Sequence, residues 1–276
     1  MNQKFTVTFL LLVLTVLCLP FDRALSHFVE TLPRTPLYYL IRDLSDLGKA
    51  MWYVVGTIVL YALFSGLSAF CQNLEYKEKF TDWAKYFGFA ALTLCVSGVL
   101  EIFLKMLIGR GRPAETADFS NMMFHPISFD HLYQSFPSGH TQTAFTCAFL
   151  VAARARSLRI PALLFGIFIA WTRIMQNAHF LSDTVGGLLI AWLGLLLTQW
   201  LVEQETLRAR LRSGEPLASL GGVDGKRAQD EYGEGVPLRY VEPYSSEHVF
   251  QRPRIVEAKG SPLLRRALSF LSFSLD

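Results

Sequence analysis

The sequence predicts an all-α, polytopic membrane protein with six transmembrane helices, and three observations lead there. Hydrophobic residues make up 51% of the 276 and charged residues only 18%, with a mean hydropathy of +0.31, which is too apolar for an ordinary soluble domain. A bilayer core needs roughly 20 apolar residues per helix, and the runs 5–20, 50–74 and 184–202 carry no charge at all. Three further runs, 86–104, 141–153 and 160–172, are apolar up to a polar group at one end: Glu101 and Lys105, His140, and Arg173.

Taken in order, the first run follows MNQK and precedes "ALS", a loose match to a secretory cleavage site. An uncleaved first helix is the preferred reading, because five remaining helices would carry the carboxyl end across the membrane. The middle runs, each extended by about a turn to include its polar residue, complete six spans. Direction follows from Lys and Arg. Lys77, Lys79 and Lys85, then Arg154, Arg156 and Arg159, then Arg208, Arg210 and Arg212 form basic clusters that all fall on the cytoplasmic side if both termini do. The expected domain is 1–203. Residues 204–276 form a polar cytoplasmic tail whose composition buries no core; its last stretch, 262–275, reads equally as a short membrane-surface helix or as a frayed end. No internal repeat is present. The four cysteines show no paired spacing and read as small hydrophobes. A net charge of +3 implies no nucleic-acid partner.

Lys105, Arg110, Arg112, His140, Arg173, His179 and Asp183 all fall at the opposite, outer side. Each ionisable group in a membrane span costs about 3 kcal/mol on insertion scales and is functional by default. Snorkelling anchors explain one Arg or Lys, but not several cations, two histidines and an acid together. The residues arrive as three clusters: "KMLIGRGRP" (105–113), "PSGH" (137–140) and "TRIMQNAHFLSD" (172–183).

Cations near helix ends, with arginines capable of bidentate contacts, suit the oxygens of a phosphoryl group. Ser138 and Gly139 would open a helix whose free N–H groups form an anion site. His179 and Asp183, spaced i, i+4, would share a helical face, the carboxylate fixing the imidazole tautomer so that the free ring nitrogen can attack phosphorus. A helix-stabilising His–Asp pair is the plainer alternative, and it loses weight beside Arg173 and in an apolar setting. His140 can protonate a leaving alkoxide and then activate water. Lys105, Arg112 and Arg173 would balance the developing charge, so neither metal nor other cofactor is expected. His27, His125, His131 and His248 lack a partner at useful spacing.

Lys105, six residues, Arg112-Pro113; Pro137-Ser138-Gly139-His140; and Arg173, five residues, His179, three residues, Asp183 together resemble the three-part signature of the type 2 phosphatidic acid phosphatase superfamily. The departure is Thr172, where the family usually has Ser. The resemblance covers about residues 1–203. It implies a six-helix membrane-bound lipid phosphatase with His179 as nucleophile, Asp183 as its orienting partner and His140 as general acid. It also implies phosphate binding by Lys105, Arg112, Ser138, Gly139 and Arg173. The related vanadate-dependent haloperoxidases share the constellation but are soluble.

The expected substrate is a membrane lipid phosphate, met at the outer face of a bacterial inner membrane. "AHFLSD" and "LIGRGRP" are more similar to bacterial lipid A phosphatases than to phosphatidylglycerol-phosphate or undecaprenyl-diphosphate phosphatases, and nothing chooses between the two lipid A phosphates. A phosphatidic acid phosphatase, a lipid phosphotransferase and a non-catalytic lipid-binding protein remain as alternatives.

Overall fold

In a computed structural model, which describes residues 3–212, the charge-free runs 5–20 and 184–202 each lie within one long helix, and the run 50–74 fills a third helix and the turn that follows it. The helices are α1 (Gln3–Glu30), α2 (Pro36–Leu44), α3 (Ala50–Phe70), α4 (Leu74–Ile108), α5 (Gly139–Arg154), α6 (Arg159–Met175) and α7 (Leu181–Arg212). Short 3-10 turns and an isolated bridge between Arg110 and Phe124 occupy the connections, and no strand occurs among the described residues. The expected surface helix at 262–275 lies outside the described residues.

Among the described residues, five segments are long and apolar enough to cross a membrane: Gln3–Glu30, Pro36–Phe70, Leu74–Ile108, Arg156–Met175 and Leu181–Ala209. The sixth expected span falls on α5, which does not qualify. It has 16 residues, about 24 Å at 1.5 Å per residue, against a hydrocarbon core of about 30 Å. The physical reason is its neighbours. Ten of its residues are buried, among them Thr141, Gln142, Thr143 and Thr146, so protein surrounds it where lipid would demand an apolar surface.

Helix ends are set by local chemistry. Asn73 caps α4, its side chain accepting from the Glu75 and Tyr76 amides at 3.0 and 3.3 Å, so the helix begins twelve residues before the apolar run at 86. At the other end Gly109 takes a left-handed conformation (φ 60°) and donates its N–H to the Lys105 carbonyl at 3.0 Å. A side chain there would collide with the His125 carbonyl. The sharp stop puts Lys105 in the last turn and releases the chain into the 109–138 connection.

Glycines let the inner helices approach closely, which matters where lipid supplies no hydrophobic drive between helices. A Cβ on Gly166 of α6 would stand 2.8 Å from the Phe145 ring, and one on Gly194 of α7 would overlap Ser97 of α4. Phe145 and Phe149 of α5 pack with Ala191, Trp192 and Leu195 of α7, and the Trp192 indole donates to Thr8 of α1 at 3.0 Å.

Candidate active site

Every predicted site residue lies at a helix end or in the connections that meet there. Lys105 closes α4, Ser138 and His140 open α5, Arg173 ends α6, and His179 and Asp183 flank the start of α7. The arginine cluster at 154–159 joins the far ends of α5 and α6. There Arg154 lies over the Trp83 ring at 4.2 Å, a packing contact and no part of the site.

Ser138 is the N-cap residue of α5 and fully buried, and its backbone N–H donates to the Asp183 carbonyl at 3.0 Å. Gly139 follows as the first residue of the helix. A Cβ there would stand 2.6 Å from the Glu101 carboxylate, so any larger residue would push that carboxylate from its place. His140 packs on the 3-10 turn Ser45–Gly48, where a Cβ on Gly48 would lie 2.9 Å from its own. Arg173 donates to Ser45 of that turn at 2.7 Å and to Gln176 at 3.4 Å, while its Nε is buried without a partner. Thr172, the family departure, donates its hydroxyl to the Ile169 carbonyl at 2.7 Å. Arg112 is held by three carbonyls, those of His131, Ala178 and Gln134, at 3.1 to 3.4 Å, which ties the 109–138 connection to the turn before His179.

The His179–Asp183 pair differs from its expected form. The i, i+4 argument places both on one helix, but α7 begins at Leu181 and His179 precedes it. Its Nδ1 lies 3.8 Å from the Asp183 carboxylate, too far for a hydrogen bond, and 2.8 Å from the Ser135 carbonyl. A carbonyl only accepts, so Nδ1 carries the proton and Nε2 keeps its lone pair. Burial pushes the His179 pKa down to about 3, reinforced by the charges of Arg112, Lys105 and Arg173 and opposed by Asp183. The imidazole is therefore neutral at physiological pH.

Asp183 acts one step further back. Its carboxylate accepts from the Ser135 hydroxyl at 2.6 Å, the Phe180 amide at 2.8 Å and Arg110 at 2.5 Å. Ser135 thus receives Asp183 on its side chain and His179 on its carbonyl, so the aspartate fixes the imidazole through it.

Arg110, Asp22, Ser135 and Glu101 are the contributors that the sequence reading left out of the site. Arg110, 1% exposed, bridges Asp183 and Asp22, the latter at 2.7 Å, donates to Ser182 at 2.7 Å, and stacks 4.5 Å over the Phe180 ring. Asp22 of α1 also accepts from the Ser182 amide at 2.9 Å and hydroxyl at 2.5 Å. The first helix is thereby fastened to the start of α7. The available signal was an acid two residues past Pro20 at the end of a charge-free run, and a second Arg in "GRGRP". Glu101 pairs with Lys105 at 2.5 Å, nearly buried.

Residues 86–207 match the family model described as the PAP2 superfamily, a range that contains all three clusters. The chain is 32% identical over 168 residues to a lipid A 1-phosphatase of Rhizobium johnstonii, covering 58% of this chain and 66% of that protein. It therefore spans just under two thirds of that relative's length. To a lipid A 4′-phosphatase of Bacteroides thetaiotaomicron it is 27% identical over 178 residues, 63% of this chain and 73% of the relative. Among solved structures, a transmembrane PAP2-type phosphatidylglycerolphosphate phosphatase from Bacillus subtilis matches with a TM-score of 0.47 at 19% identity, covering 74% of this chain and 98% of that one.

Proposed function

Residues 86–207 are a PAP2 superfamily domain, and from that premise we propose that the chain is a membrane lipid phosphatase acting on a lipid A headgroup phosphate through a phosphohistidine at His179. The observation that carries the reading is the tautomer of His179. Its Nδ1 proton is engaged by the Ser135 carbonyl, so Nε2 is the nucleophile, neutral and gathered with Lys105, Arg112 and Arg173.

In the first step Nε2 forms a bond to phosphorus while the bond to the lipid oxygen breaks, and His140, protonated once the negative phosphate offsets the nearby Arg173 and Lys105, donates that proton to the departing alkoxide. Positive charge that appears on the His179 ring is balanced by Asp183 through the Ser135 link. Lys105, Arg112, Arg173 and the amino end of α5 at Ser138–Gly139 meet the equatorial oxygens. In the second step His140 takes a proton from water, which displaces His179 and releases orthophosphate.

The apolar segments supply the membrane, with α5 as a sixth, protein-surrounded crossing and the site at the outer face of the inner membrane, away from the basic clusters. The higher identity to the 1-phosphatase favours the 1-phosphate over the 4′-phosphate. The test is a panel of lipids given to the purified full chain: lipid A carrying either phosphate, phosphatidylglycerol phosphate, phosphatidic acid and undecaprenyl diphosphate. Free orthophosphate released fastest from the 1-position is expected. Fastest release from a glycerolipid overturns the substrate, and label appearing on a second lipid identifies a phosphotransferase.

A further inference from the structure

Glu101 is an acid among groups suited to bind an anion. It sits one turn before Lys105 on α4 and is 7% exposed. Its Oε1 lies 2.5 Å from the Lys105 ammonium and directly against Gly139, where a Cβ would be 2.6 Å from that oxygen and 3.5 Å from Lys105 Nζ. The carboxylate, the ammonium and the first residue of α5 therefore converge on one point. A negatively charged oxygen held by an ammonium beside the first residue of a helix occupies the kind of place that a phosphate oxygen seeks. A carboxylate that served only to neutralise Lys105 would not need this place; anywhere along the lysine's reach would do.

We propose that Glu101 is a built-in competitor for the phosphate, its carboxylate holding Lys105 and the amino end of α5 until a substrate phosphate displaces it. The inference rests on the reading that Lys105 and Gly139 bind phosphate. It follows that Glu101 limits affinity for every phosphate species, and most for orthophosphate, which lacks the lipid contacts that help substrate displace the acid. The returning carboxylate then favours product departure. Glu101 acts through Lys105 and is a positioning residue.

The experiment measures the inhibition constant of orthophosphate for the purified full chain and for Glu101→Gln, Lys105→Ala and the double variant. Glu101→Gln keeps the shape and removes the charge, and it is expected to tighten inhibition by about tenfold and to lower KM. Lys105→Ala weakens inhibition, and in its background the gain from Glu101→Gln shrinks by about threefold or more, because the contested contact is gone. Unchanged or weaker inhibition in Glu101→Gln, with Lys105→Ala weakened, overturns the competitor and leaves the phosphate site standing. No effect of Lys105→Ala overturns the phosphate reading itself. Should Glu101→Gln fail to fold, Glu101→Asp draws the carboxylate back from Gly139 and must tighten inhibition by a smaller factor; no tightening there also overturns the competitor.

Discussion

Helix α3 buries none of its 21 residues inside the protein, whereas α5 buries ten of its 16. The compositions run opposite to the rule for water. The exposed helix is almost wholly apolar, with Trp52, Val55, Ile58 and Val59 facing outward, and the buried one carries Thr141, Gln142, Thr143 and Thr146. In a bilayer the solvent is itself apolar, so hydropathy marks contact with lipid, and polar side chains collect where protein can satisfy them. Gln142 illustrates this: its amide donates across the α4–α5 contact to Ser97 at 2.6 Å and along its own helix to Thr146 at 3.0 Å. The proposed active site is the far extreme of the same trend, since charges too costly for lipid pair with one another at the ends of the inner helices.

The contrast predicts that polar substitutions inside cost much and apolar ones outside cost little. The largest effect belongs to Arg110→Met, which strands the Asp22 and Asp183 carboxylates without a countercharge. It should destabilise the protein by about 3–5 kcal/mol, read as a lowered Tm in detergent. Arg110→Lys keeps the charge and should fall between that variant and the natural protein; Arg110→Met as stable as the natural protein would break the contrast.

Next comes pH. The His179 pKa is lower in the folded protein, about 3 against 6.5, so the unfolded chain binds the extra proton between those values. Stability is then flat above about pH 6.5 and falls as pH drops toward 3, by about 2 kcal/mol between pH 7 and pH 5 from this residue. A Tm series at the two pH values should show a smaller loss in His179→Gln; an equal loss in both proteins removes His179 from the account.

A smaller change sharpens the contrast on its own terms. Gln142→Leu on α5 should cost about 1–2 kcal/mol, because Ser97 and Thr146 lose a shared donor. Ile58→Ala on α3, which deletes more apolar volume, should stay within about 0.5 kcal/mol. Thermal unfolding of the two variants side by side checks the order, and the reverse order would mean that α3 packs against protein.

What was legible in the sequence divides along similar lines. The run 50–74 anticipates α3 (Ala50–Phe70) because lipid contact leaves a continuous apolar record. The short α2 and the charged first three turns of α4 leave no such record, since they depend on Pro36, on the Asn73 cap and on the Glu75–Lys79 pair. Lys105, Arg112, Ser138, Gly139, His140, Arg173, His179 and Asp183 could be picked out by local spacing. Asp22 could not, and Arg110 stood out without a role, because the bonds that define them span 88 and 73 residues. The His179–Asp183 spacing does bring the two side chains near each other, but with another geometry: α7 begins between them, and Ser135 bonds to both.

The central claim is that His179 Nε2 takes the phosphoryl group, and rapid quench with lipid A labelled in its phosphate tests it most directly. The account predicts label bound to protein that survives alkali, is lost in acid, maps to the peptide containing His179 and is absent in His179→Ala, which should also lose about a thousandfold or more of phosphate release. Undiminished phosphate release by His179→Ala, or label on any other residue, would contradict it.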